Sequence, residues 1–127
     1  MTPEEAREII LSQKKWPESM SVSGDLSLYG CTGLKSLPKN LSVSGGLNLC
    51  WCTGLKSLPE SMSVSWSLSL HGCTGLSLKN GLGKVGCKVY GLPPELLANS
   101  PNDVPKLLGY DLSEDSQKVL ETFLKGK

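Results

Sequence analysis

The chain has 127 residues, enough for one domain and short for two. Its 13 basic and 12 acidic side chains leave a net charge of +1, which gives no electrostatic basis for a general nucleic-acid or anionic-membrane partner. Aromatic residues make up 6%, so the core has to be aliphatic, and the apolar runs are too short to span a bilayer.

The first expected element is a helix opened by Thr2-Pro3-Glu4-Glu5, with Thr2 as N-cap, proline at the first helical position and Glu5 three residues after the cap. Ala6, Ile9 and Ile10 give it an apolar stripe, and residues 1–16 are read as an N-terminal helical cap. Glu4, Glu5, Arg7 and Glu8 stand where a secretory signal would carry a basic start and an apolar core. That pattern, with an odd number of cysteines (Cys31, Cys50, Cys52, Cys73 and Cys87), leads us to expect reduced thiols and a cytoplasmic location.

From Pro17 to Ser77 the sequence falls onto itself when shifted by 21 residues. Pro17, Pro38 and Pro59 align, as do Val22, Val43 and Val64, Leu26, Leu47 and Leu68, and Leu28, Leu49 and Leu70. Cys31, Cys52 and Cys73 follow, each before Thr-Gly-Leu. Leu-x-Leu has the period of a strand, so both leucines face one way. The cysteine and next leucine fall three residues apart each, which needs a turn, and proline then sets an extended return segment. Such a chain stacks Leu on Leu and Cys on Cys, and only the stack makes a core. Residues 17–77 are three such turns. Residues 78–92 are a degenerate fourth, in which Val85 and Val89 keep the phase of Val64 and Leu68.

The remaining residues, 93–127, are expected to be a C-terminal helical cap. Pro93-Pro94-Glu95 opens a short helix with Leu96 and Leu97, Val104 to Gly109 forms a further turn, and Ser113 caps a last helix. On that helix Val119, Leu120, Phe123 and Leu124 share a face. All 127 residues form a single domain.

Leu47-x-Leu49-x-x-Cys52-x-x-Leu55 resembles the leucine-rich repeat in its cysteine-bearing form, and the Gly72-Cys73-Thr74-Gly75-Leu76 run is similar to repeats of bacterial surface proteins. The Leu-Pro-x-x-Leu-x-Val part resembles repeats of bacterial effector and phage-borne proteins. The resemblance implies an α+β chain, a leucine-rich-type solenoid of three to four 21-residue turns with helical ends. It also implies a protein-binding module, an inhibitor or effector of bacterial or phage origin that works by stoichiometric occupation of a surface.

The residues give no catalytic set. His71 is the sole histidine, and Cys50 could lie one turn below it as a nucleophile–base pair, but no carboxylate shares that row to orient the imidazole. A ladder of cysteines spreads its thiols in a line instead of converging them, so neither a metal nor another cofactor is expected. The stronger candidate is the outward row, where side chains vary while the scaffold repeats. Tyr29, Asn48, Cys50, Trp51, Trp66 and His71 are the expected partner-binding residues. A face of four short strands offers only about 300 Å², against about 800 Å² per partner in a stable interface. The helical ends, a homodimer or a peptide ligand would have to make up the difference. Alternatives are a self-assembling structural or adaptor piece and a nucleic-acid binder resting on Lys35, Lys56, Lys79, Lys84 and Lys88, of which Lys35 and Lys56 share a row.

Overall fold

The structure is a computed structural model that describes residues 1–12, 16–79 and 81–125, leaving aside the Leu108 side chain. Positions 13–15, expected in the N-terminal cap, Asn80 in the fourth turn, and positions 126–127 at the C-terminus lie outside the described residues.

Helix α1 spans Pro3–Ser12. Thr2 caps it reciprocally with Glu5: Thr2 Oγ1 accepts the Glu5 N–H at 3.2 Å and donates to Glu5 Oε1 at 3.1 Å. Ala6 and Ile10 are buried, and the helix packs against the first two strands. Each following 21-residue period then contributes two short strands instead of one. These are β1 (Met20–Val22) and β2 (Leu26–Ser27), β3 (Leu41–Val43) and β4 (Leu47–Asn48), and β5 (Ser63–Val64) and β6 (Leu68–Ser69). Strands β7 (Lys84–Val85) and β8 (Lys88–Tyr90) follow, then helix α2 (Pro94–Asn99), a 3-10 helix (Pro101–Gly109), β9 (Asp111–Leu112) and α3 (Glu114–Lys125).

The expected α+β leucine-rich-type solenoid is therefore corrected. The fold is α/β, with two parallel sheets flanked by helices: a four-stranded sheet in the order β1-β3-β5-β7, and a five-stranded sheet in the order β2-β4-β6-β8-β9. The physical reason lies in the segments read as extended returns. Met20-Ser21-Val22 pairs in register with Leu41-Ser42-Val43, and Val43 with Val64, so these segments satisfy their backbone groups as a second sheet. The Leu26–Leu47–Leu68–Val89 line forms the other.

One aliphatic core lies between the sheets. Leu26, Leu28, Leu47, Leu49, Leu68 and Leu70 are essentially fully buried, as are Val43, Val64 and Met62 from the other side. Each buried leucine contributes about 1.5–3 kcal/mol relative to an exposed one. The cysteine row joins this core with a polar addition. Cys52 Sγ donates to Leu28 O at 3.0 Å and Cys73 Sγ to Leu49 O at 2.8 Å, each thiol reaching the carbonyl of the preceding period. Burial pushes the Cys52 thiol up to about 11 and the Cys73 thiol up to about 12. Cys31 is half-buried, and all five cysteines are free thiols.

The C-terminal elements close the last strands through single side chains. Tyr110 Oη donates to Gly83 O at 2.6 Å and accepts the Leu82 N–H at 3.0 Å. Ser100 Oγ accepts from Leu78 N, and buried Ser116 Oγ accepts from Leu92 N while donating to Val89 O. Strand β9 was not foreseen; it adds Leu112 beside Val89 and extends the five-stranded sheet past β8. On α3, Val119, Leu120 and Phe123 pack on the core, whereas Leu124 is exposed. Among the described residues no helix is long and apolar enough to cross a membrane.

Candidate functional site

The outer surface of the five-stranded sheet carries the unusual side chains. Asn48 pairs with Ser27 on one side and Ser69 on the other, and Ser69 with Tyr90, so one outward row runs Ser27–Asn48–Ser69–Tyr90. Large aromatic groups stand in and around this row: Tyr29 is 58% exposed, Trp51 44%, Trp66 62% and Tyr90 42%. Exposure of single apolar residues is ordinary; four large aromatics around one small sheet face are not.

The six residues expected from sequence fall into two groups. Tyr29, Cys50, Trp51 and His71 lie just past the C-terminal ends of β2, β4 and β6. There Trp51 and His71 meet edge to face, with ring centroids 5.4 Å apart and planes at 80°. Asn48 and Trp66 line a separate cleft at the N-terminal side of the same strands. Trp66 precedes and His71 follows β6, five residues on, so these two residues stand about 16 Å apart along the strand direction. Cys50 is half-buried, and its N–H donates to Asn48 Oδ1 at 3.0 Å.

Trp51 has a backbone feature that spacing alone does not reveal. Its φ is 64°, in the left-handed region, and it is the one non-glycine residue there among the described residues. One period earlier Gly30 has φ 73°, and one period later Gly72 has φ 82°. The turn requires a left-handed residue at this phase, glycine serves in the neighbouring periods, and Trp51 takes the same conformation at a cost of about 1–2 kcal/mol. Gly72 also gives the ring its place, because a Cβ there would collide with the Trp51 indole.

The cleft, of ≈ 800 Å³, is lined by Gly24–Ser27, Ser44–Asn48, Trp66, Ser67 and Ser69. Its architecture follows from two rows of the repeat, Gly24–Gly45–Trp66 and Asp25–Gly46–Ser67. Asp25 Oδ1 accepts the Gly46 N–H at 2.7 Å, and Ser44 Oγ accepts the Gly24 N–H at 2.9 Å, tying the first two periods together. Gly45 has to lack a side chain, because a Cβ would collide with the Asp25 carboxylate and the Gly24 backbone. Ser27 and Ser69 stand in the outward row with Asn48, and Asp25 and Ser67 flank it, though of the cleft only Asn48 and Trp66 were among the six expected partner-binding residues.

Lys35 and Lys56 do lie in adjacent periods, with Lys56 N donating to Lys35 O at 3.2 Å. The next residue in that row is Ser77, whose N–H donates to Lys56 O at 2.9 Å, so the basic stripe stops at two. Among the described residues no group of three or more His, Cys, Asp or Glu side chains is placed to hold a metal ion. Compared with protein-family models, curated proteins and solved structures, the chain matches none.

Proposed function

We infer that the chain is a protein-binding module that acts without catalysis, by occupying a partner's surface through the outer face of its five-stranded sheet. The observation that carries this reading is Trp51. A bulky side chain in the left-handed conformation is disfavoured, glycine serves at the same phase in both neighbouring periods, and the ring is 44% exposed. The backbone conformation favours glycine and the contact with His71 only offsets that, so the fold gains nothing from the indole and a use for the exposed ring accounts for its retention.

The size of the face fits recognition by a few anchors. Five strands at about 4.8 Å by six residues at about 3.3 Å give roughly 480 Å², below the usual 800 Å² per partner. Affinity would then depend on Tyr29, Trp51, Trp66 and His71, residue types suited to anchoring, around a floor of serine and asparagine. An inhibitor or effector that works by mass action matches this layout, in a cytoplasm that keeps the five thiols reduced. The test is comparative capture from lysate on immobilised wild-type chain and on Trp51→Gly/Trp66→Ala. A protein held at about one equivalent by the first and lost from the second, with both chains folded, supports the reading. Identical captures would remove it.

A further inference from the structure

We propose that the cleft between Asp25 and Trp66 is a slot for the guanidinium of an arginine side chain on a protein partner. This rests on the protein-binding reading above and names the chemistry of what that surface takes. Asp25 and Trp66 are in the first and third periods, two strand spacings or about 10 Å apart. The period between them contributes Gly45 and Gly46: the Asp25 carboxylate takes the place a Gly45 side chain would fill, and Gly46 projects none into the cleft.

The two walls are chemically complementary to one kind of group. Asp25 is the one ionisable residue among those lining the cleft. Its Oδ1 is held by the Gly46 N–H, which fixes the carboxylate over the glycine floor, and among the described residues Oδ2 has no hydrogen-bond partner. The opposite wall is the Trp66 indole, 62% exposed. A planar cation can stack on an indole while its N–H fork reaches a carboxylate, a combination open to arginine and not to the compact ammonium of lysine. Serine hydroxyls and the Asn48 amide edge the slot. Asn48 Oδ1 accepts the Cys50 N–H, and the Asp25 carboxylate is the charged acceptor in the cleft for a cation.

The test uses a blocked Gly-Arg-Gly peptide titrated into the full chain and followed by nitrogen–proton correlation spectra. The same peptide with citrulline, isosteric and uncharged, and maltotriose, a neutral ring-stacking saccharide, serve as comparisons. The slot predicts that the arginine peptide shifts the Trp66 indole N–H and the Gly46 amide, while the citrulline peptide binds about tenfold more weakly or worse. Asp25→Asn keeps an acceptor for the Gly46 N–H, so the chain stays folded, and it should abolish the preference for arginine. Equal response to citrulline, a response to maltotriose alone, or a preference that survives Asp25→Asn would each overturn the slot. If that happens while Trp51→Gly still releases a captured protein, the slot is wrong and the protein-binding reading stands. An arginine response in a chain that captures no protein would remove the reading and keep the slot.

Discussion

The indole of Trp51 lies over Gly72, one period away, in space that any larger residue at position 72 would fill. Both residues have left-handed backbones, at φ 64° and 82°. An exposed aromatic ring is thus held by a strained position below it and by an absent side chain above it.

This pair gives the first prediction. Gly72→Ala should destabilise the protein by about 1–3 kcal/mol, from the left-handed alanine together with the collision. In the Trp51→Gly background the collision is gone, so the same change should cost only about 1 kcal/mol. A double-mutant cycle by urea unfolding measures the difference. Equal costs in both backgrounds would mean that the ring does not rest on Gly72.

Trp51→Gly by itself should be close to neutral for folding. Relief of about 1–2 kcal/mol of backbone strain opposes the loss of about 0.5–1.5 kcal/mol of edge-to-face contact with His71. A loss well above about 2 kcal/mol would make Trp51 a structural residue in place of an anchor.

The cysteine row predicts an alkaline limit to stability. Burial raises Cys52 from 9.0 to about 11 and Cys73 to about 12, so at high pH the unfolded chain releases thiol protons that the folded chain keeps. Their contribution is fully present below pH 9 and is lost as pH rises through the folded values. Unfolding free energy measured from pH 8 to 11 should fall, and less steeply in Cys52→Ala/Cys73→Ala. In native protein at pH 8, Cys52 and Cys73 should resist a thiol reagent, with half-buried Cys50 reacting before them.

Tyr110→Phe removes the hydroxyl that bonds both Leu82 N and Gly83 O. With two backbone groups losing their partner in a partly buried site, the cost should be about 1–3 kcal/mol. Hydrogen exchange at the Leu82 amide should accelerate more than at Leu49.

Much of the sheet register was legible, because apolar residues recur at one phase. Val43 aligned with Val64 and Leu47 with Leu68, and those are the pairs the strands make. The second sheet was not legible. Its strands are two or three residues long and sit among serine, glycine and proline, where no alternation runs far enough to announce a strand. Strand β9 was hidden for the same reason. At the site, Trp51 and Trp66 stood out as aromatics in rows otherwise occupied by glycine. The left-handed turn at Trp51 and the carboxylate of Asp25 crossing to Gly46 depend on neighbouring periods meeting in space, and a single period contains neither.

The central claim is that the outer sheet face binds while the leucines behind it hold the fold, and paired measurement of affinity and stability tests it most directly. With a captured partner in hand, Trp66→Ala should weaken binding by about 2 kcal/mol or more and change unfolding free energy by less than about 0.5 kcal/mol. Leu49→Ala, fully buried in the core, should lose about 2–5 kcal/mol of stability and keep wild-type affinity in the fraction that remains folded. Undiminished binding by Trp66→Ala, Tyr29→Ala and Trp51→Gly alike would contradict the account.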